Sequence, residues 1–196
     1  NINNYKIILF AWPFIQFFLL FGSIVVICFF DHLSVLEAII LMLVQGMISG
    51  AVGITFAHEL MHQKTKFERF LSDLLMGMAF YGHFRTEHVH VHHRFVGTKK
   101  DAVTARYNES FYTFFLRVIP ECLKSAWKVE TSRLVGKNKS IFDFSNPFYV
   151  YLTLALFFLL LSFFIGGFWG ICLFLIQALV AVLHLEVVNY IEHYGL

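Results

Sequence analysis

Long uncharged runs alternate with short polar breaks along this chain. From Ile7 to Phe30, 24 residues pass without a charge. A helix needs about 20 apolar residues to cross the hydrocarbon layer, so this run predicts a membrane-spanning helix. Pro13 lies in its first turns and is expected to kink it. Asp31 and His32 then mark a polar turn, where His32 reads as an interfacial residue rather than a ligand. Ala38 to Ala57 is a second uncharged run, of 20 residues. Gly46, Gly50 and Gly53 recur in it at helical spacings, a pattern that lets a neighbouring helix approach closely. Phe148 to Leu183 is a third run, of 36 residues. As one straight helix it would be about 54 Å long, against a hydrocarbon layer of about 30 Å. Two passes are therefore expected, turning at Gly166-Gly167-Phe168-Trp169-Gly170.

Between the runs the pattern changes. Phe67, Phe70, Leu71, Leu74, Leu75 and Met78 follow the i, i+3, i+4, i+7 spacing of an amphipathic helix, with Glu68, Arg69 and Asp73 on the other face. Gly97 to Arg106 is polar and includes Lys99, Lys100 and Asp101. Phe111, Phe114, Phe115 and Val118 predict a helix lying in the membrane interface. Pro120 is expected to open another, carrying Leu123, Trp127, Lys124 and Lys128.

The expected fold is all-α: a polytopic membrane helical bundle of four apolar spans in two hairpins, with cytoplasmic and interfacial helices between. Residues 1–62 form the first membrane hairpin, 63–146 the cytoplasmic and interfacial segment, and 147–196 the second hairpin. Fourteen of the 15 Lys and Arg lie between Lys64 and Lys139, and Lys6 fits the same side. Positively charged loops stay in the cytoplasm. His58 and His193, each ending an inbound helix, are thus expected at one cytoplasmic face.

Composition narrows the class further. Charged residues make up 14% of the chain and hydrophobic ones 58%; soluble domains carry about 25% charge. A net charge of +2 gives no reason to expect a nucleic-acid partner. Cys28, Cys122 and Cys172 are far apart and read as small buried hydrophobes. The chain starts without methionine and shows no cleavable signal, so it reads as an internal fragment of a longer protein.

The chemistry is concentrated in one stretch: seven of ten histidines fall between His58 and His93. His58 and His62 stand i and i+4, the spacing by which one helix grips a metal with two imidazoles. His88 and His92 repeat it, and His93 adds a third donor. Imidazole suits zinc, copper, iron and nickel alike. Glu59, Glu87 and Glu192 each directly precede a candidate ligand and are expected to hold a ring N–H or a water. His83 and His90 lack the spacing and suit orienting or solvated roles; His184 reads as a satisfied interface histidine. Metal binding outweighs scattered interfacial histidines, because ionisable clusters at a membrane are costly without a function. A zinc peptidase, with Glu59 as general base, would use His58 and His62 and leave the other histidines idle. A metal carrier would place its site near the midplane, whereas these histidines gather at one face.

Four segments carry a resemblance: His58-Glu59-Leu60-Met61-His62-Gln63-Lys64, Tyr81-Gly82-His83-Phe84, Glu87-His88 through His92-His93, and Asn189-Tyr190-Ile191-Glu192-His193-Tyr194-Gly195-Leu196. They resemble the integral-membrane alkane monooxygenases, which stand with xylene monooxygenases and fatty-acid desaturases in the histidine-rich membrane di-iron superfamily. The last segment points to hydrocarbon hydroxylases rather than desaturases. The resemblance implies a di-iron centre held by nine histidines at the cytoplasmic side of a six-helix bundle. His58, His62, His88, His92, His93 and His193 match six of those positions, with no catalytic residue beyond the metal ligands. The other three belong to a later His-x-x-His-His box that this chain lacks, as it lacks the first two membrane helices; residues 1–196 thus read as a partial hydroxylase domain. Val91 stands where the family often has glycine.

The implied reaction inserts an oxygen atom from O2 into a hydrocarbon C–H bond, foremost terminal hydroxylation of an n-alkane to a 1-alkanol. Xylene or methyl-aromatic oxidation and fatty-acid desaturation are the alternatives within the superfamily. Electrons would come from rubredoxin and its NADH-dependent reductase, with the basic loop on the right side for an acidic donor. The implied location is the bacterial inner membrane.

Overall fold

A backbone in hydrocarbon must satisfy its own hydrogen bonds, and the uncharged runs do so as helices. The computed structural model describes residues 2–30 and 32–195, with side chains from Tyr5 onward. The Asp31 half of the polar turn and the terminal Leu196 lie outside them. Helix α1 covers Ile2–Phe29 and stays helical through Pro13. Helix α2 (Val35–Ile48) opens on a capping box between Ser34 and Glu37. A π-helical turn, Ser49–Gly53, joins it to α3 (Ile54–Met61) without a break. Helix α4 covers Lys66–Met78, and α5 (Phe84–Glu87), a second π-helical turn (His88–His92) and α6 (His93–Phe95) run end to end. Helix α7 is Phe111–Val135 and α8 is Phe148–Glu192. Among the described residues three stretches are long and apolar enough to cross a membrane, Tyr5–Phe29, Val35–Met61 and Phe148–Glu192, and the chain is read as a membrane protein. The described residues are all-helical and form no strand; a single bridge pairs Ala105 with Tyr194.

Helix α8 is interrupted where the glycines predicted it. Gly166 leaves helical geometry and Gly167 adopts φ 58°, a left-handed conformation that costs glycine nothing. Beyond it the chain doubles back: the rings of Phe158 and Phe174 lie 6.4 Å apart, where a straight helix would hold them about 24 Å apart. The second arm packs along α2. A Cβ on Gly46 would lie 2.6 Å from Val180 Cβ and 2.7 Å from the Gln177 carbonyl oxygen. The glycine seam therefore brings α2 and α8 into backbone contact.

Two expectations about the connecting helices need correction. The Phe111 to Trp127 region is one helix, not two separated at Pro120. Proline removes one N–H bond, but Phe114, Val118, Cys122, Ala126, Glu130 and Leu134 are buried four residues apart in one stripe spanning it. Packing on both sides keeps the turns in register. In α4 the charged residues are not all on a solvated face. Asp73 is buried and takes both Nε and Nη2 of Arg85, the latter at 3.1 Å. Phe67 and Phe70 point outward instead, while Leu71, Leu75, Met76 and Met78 fill the core.

Candidate metal centre

Two stretches of helix deliver four imidazoles to one place. His58 sits in the last turn of α3 and His62 caps that helix. His88 opens the second π-helical turn and His93 follows it. Candidate ligand nitrogens of these four lie within 4.8 Å of one another. His88 Nε2 is 3.3 Å from His62 Nε2 and 2.9 Å from His93 Nε2, and its ring centroid is 4.6 Å from that of His58. Burial, with the neighbouring imidazoles behind it, pushes the His88 pKa down to about 2. His93 is lowered too, by burial and then by His62 and His92. Neutral rings keep the lone pairs that a metal requires.

The π-helical turn decides which histidine goes where. Its wide turn brings His93, five residues on, over His88. His92 stacks on His88, with centroids 5.3 Å apart, and its ring centroid is also 4.7 Å from that of His193. There His92 Nδ1 lies 3.0 Å from Asp101 Oδ2. Burial opposes ionisation of Asp101, but bonds from His92, Thr104 and the Val103 amide outweigh it and lower its pKa. An ionised Asp101 accepts the Nδ1–H and leaves His92 Nε2 as the free donor atom, the usual device for orienting a ligating imidazole. His193, at the end of α8, is held by its neighbours. Tyr190 Oη donates to the Glu109 carbonyl at 2.6 Å, and the Gly195 amide donates to the Ala105 carbonyl at 3.0 Å.

Both histidine groups face a cavity of about 420 Å³. His58, His88, His92 and His193 form its polar wall, and Ile54, Leu185 and Val188 its apolar wall. Phe84 backs it, stacked on His88 with centroids 5.2 Å apart. His184 also lines it, against Gly50.

The acidic neighbours differ in their surroundings. Glu59 accepts from Gln63 Nε2 at 3.0 Å rather than from a ring. Glu87 is fully buried with neither oxygen bonded, and burial, then Asp101 and Glu186, raise its pKa to about 9. Glu192 is exposed on the cavity wall. The carboxylate that does hold a ring is Asp101, in the polar stretch from Gly97 to Arg106. Glu186, fully buried nearby, holds no histidine ring: it accepts from Tyr81 Oη and Asn189 Nδ2, each at 3.1 Å. His83 lies against Tyr81, 4.5 Å between centroids, with Nε2 unpartnered, and touches no ring of the cluster. His90 turns away into a different recess.

The fatty acid desaturase family model matches residues 33–196, including every histidine of both groups. The chain belongs to the fatty acid desaturase family. Within that family it is similar to alkane 1-monooxygenase 1 of Alcanivorax borkumensis, 39% identical over 84% of this chain and 40% of that protein. It is 38% identical to alkane 1-monooxygenase 1 of Pseudomonas aeruginosa over 77% of this chain and 40% of that protein. The xylene/toluene monooxygenase hydroxylase component of Pseudomonas putida is 30% identical over 76% of this chain and 40% of its own length. The chain thus spans about 40% of the length of the curated relatives it matches.

Proposed function

We propose that the chain forms the histidine-bearing core of a membrane-bound non-haem di-iron monooxygenase that converts an n-alkane to a 1-alkanol. The observation that carries this reading is the convergence of two imidazole groups on one partly apolar cavity. The residues present fit iron: imidazoles are ligands it accepts, and ligand atoms of four of them already lie within 4.8 Å of one another. In this reading His58, His62, His88 and His93 serve one iron, and His92 and His193 contribute to the second. Iron held there would supply the O2 chemistry that places one oxygen atom in a C–H bond and, with two electrons and two protons, reduces the other to water.

The protein's own part is positioning. Asp101 keeps the Nδ1 proton on His92 and so aims Nε2 inward. Ile54, Leu185 and Val188 offer an alkyl chain a dry wall beside the histidines. Glu59, engaged by Gln63, lends nothing to a peptidase reading. The proposed topology has four passes in two hairpins, α1 with α2–α3 and the two arms of α8. The basic segment from Lys64 to Lys139 and the histidines face the cytoplasm across the bacterial inner membrane. Rubredoxin, reduced by its NADH-dependent reductase, is the proposed electron donor.

The similarity to the xylene/toluene hydroxylase component keeps methyl-aromatics as a second substrate class. The test is expression of the full-length protein with rubredoxin and reductase, fed n-alkanes and methyl-aromatics under isotopically heavy O2. The expected product is 1-alkanol carrying one labelled oxygen. Labelled benzylic alcohol alone would move the substrate to the second class, and unlabelled or absent product would refute the reaction.

A further inference from the structure

We propose that a recess separate from the histidine cavity binds the phosphate-bearing headgroup of an anionic phospholipid. It has a volume of about 640 Å³ and lies between the start of α4, the end of α7 and the start of α8. Lys66, Arg69, Arg85, Arg133 and Lys137 line it. Two buried carboxylates lie with them. Asp73 is paired to Arg85, and Glu130 to Arg133 Nη1 at 3.0 Å. Five cations against two carboxylates leave an excess of three positive charges. Among the described residues Lys66, Arg69 and Lys137 make no salt bridge. Arg85 Nη1 and Arg133 Nη2 bond no protein acceptor there.

Unpaired cations crowded into a recess repel one another, and a phosphate relieves that by accepting several charge-assisted hydrogen bonds at once. Free phosphate and a lipid headgroup share this chemistry. The apolar side of the same recess favours the lipid. Phe70, Phe144 and Val150 line it, and Val150 lies in the first turn of the apolar helix α8. The Arg85 side chain is only 18% exposed, within reach of a headgroup but not of a flat protein surface. Basic pockets between membrane helices hold anionic headgroups in this way.

The test uses the full-length protein in bilayers of phosphatidylcholine with a minor fraction of phosphatidylglycerol of the same acyl chains. Lipid retained on mild detergent extraction is quantified by mass spectrometry. Phosphatidylglycerol is expected to be enriched about tenfold or more over its bulk share, and each of K66Q, R69Q and K137Q to lower that enrichment about fivefold. The triple variant should return it to the bulk ratio. K99Q/K100Q/K128Q removes equal charge outside the recess and should leave enrichment unchanged. Equal retention of the two lipids by the wild type, or equal loss in both triple variants, overturns the proposal. The single variants keep the test decisive if the triple variant does not fold. Displacement of phosphatidylglycerol by inorganic phosphate would assign the recess to free phosphate instead, and capture of an acidic protein without lipid enrichment would overturn it in favour of protein docking.

Discussion

His88 touches His58, His62, His92 and His93, so its loss opens both histidine groups at once. His88→Ala should leave the purified protein with less than about a tenth of the wild-type iron, measured by elemental analysis. Asp101→Asn should keep the fold and weaken metal affinity by about 10- to 100-fold, the usual effect of removing the partner of a ligating imidazole. A chelator competition distinguishes the two. His83 makes a pH prediction. Burial depresses its pKa from 6.5 to about 4, so between those values the unfolded chain binds the extra proton. Its contribution is full above about pH 6.5 and is lost as pH falls toward 4, by about 3 kcal/mol. The thermal midpoint in detergent should therefore fall further between pH 7.5 and 5 for the wild type than for His83→Gln. The clustering of His58, His62, His88 and His93 was legible from spacing and resemblance. Asp101 was not, because it meets His92 nine positions away, across α6 and the turn after it, a separation that follows no helical repeat. Nor was the bond that ties Glu186 to Tyr81, since nothing local links residues so far apart in the chain.

Helices were legible wherever one local property decides them. Uncharged length gave the apolar spans, and Gly166-Gly167 gave the reversal within α8. Where tertiary packing decides, the pattern misled. Pro120 should end a helix, yet the buried stripe from Phe114 to Leu134 carries α7 through it. The π-helical turns were invisible for another reason: one extra residue per turn leaves no mark on composition, and such turns concentrate at functional sites. Across the turn at His88–His92 the rings of His88 and His92 stay stacked, 5.3 Å between centroids, while His93 also reaches His88 at 4.5 Å. The glycine seam offers the element-scale prediction. Gly46→Leu forces a side chain against Val180 and the Gln177 carbonyl. It should destabilise the protein by about 1–3 kcal/mol, read as a lower thermal midpoint, whereas Gly22→Ala, which meets nothing within 4 Å, should be silent.

At the scale of the whole molecule the apolar spans act as a scaffold that delivers histidines from three elements to one end. Helix α3 brings His58 and His62, the turn after α5 brings His88, His92 and His93, and the end of α8 brings His193. The loop from Asp101 to Glu109 ties the last two together, through His92 at one end and Tyr190 at the other. The central claim is that this arrangement holds two irons. The most direct measurement is Mössbauer spectroscopy, with metal analysis, of the full-length protein grown on enriched iron. The account predicts two irons per chain in nitrogen-rich sites, both lost in His88→Ala. One zinc per chain with no iron, or iron retained in full by His88→Ala, would contradict it.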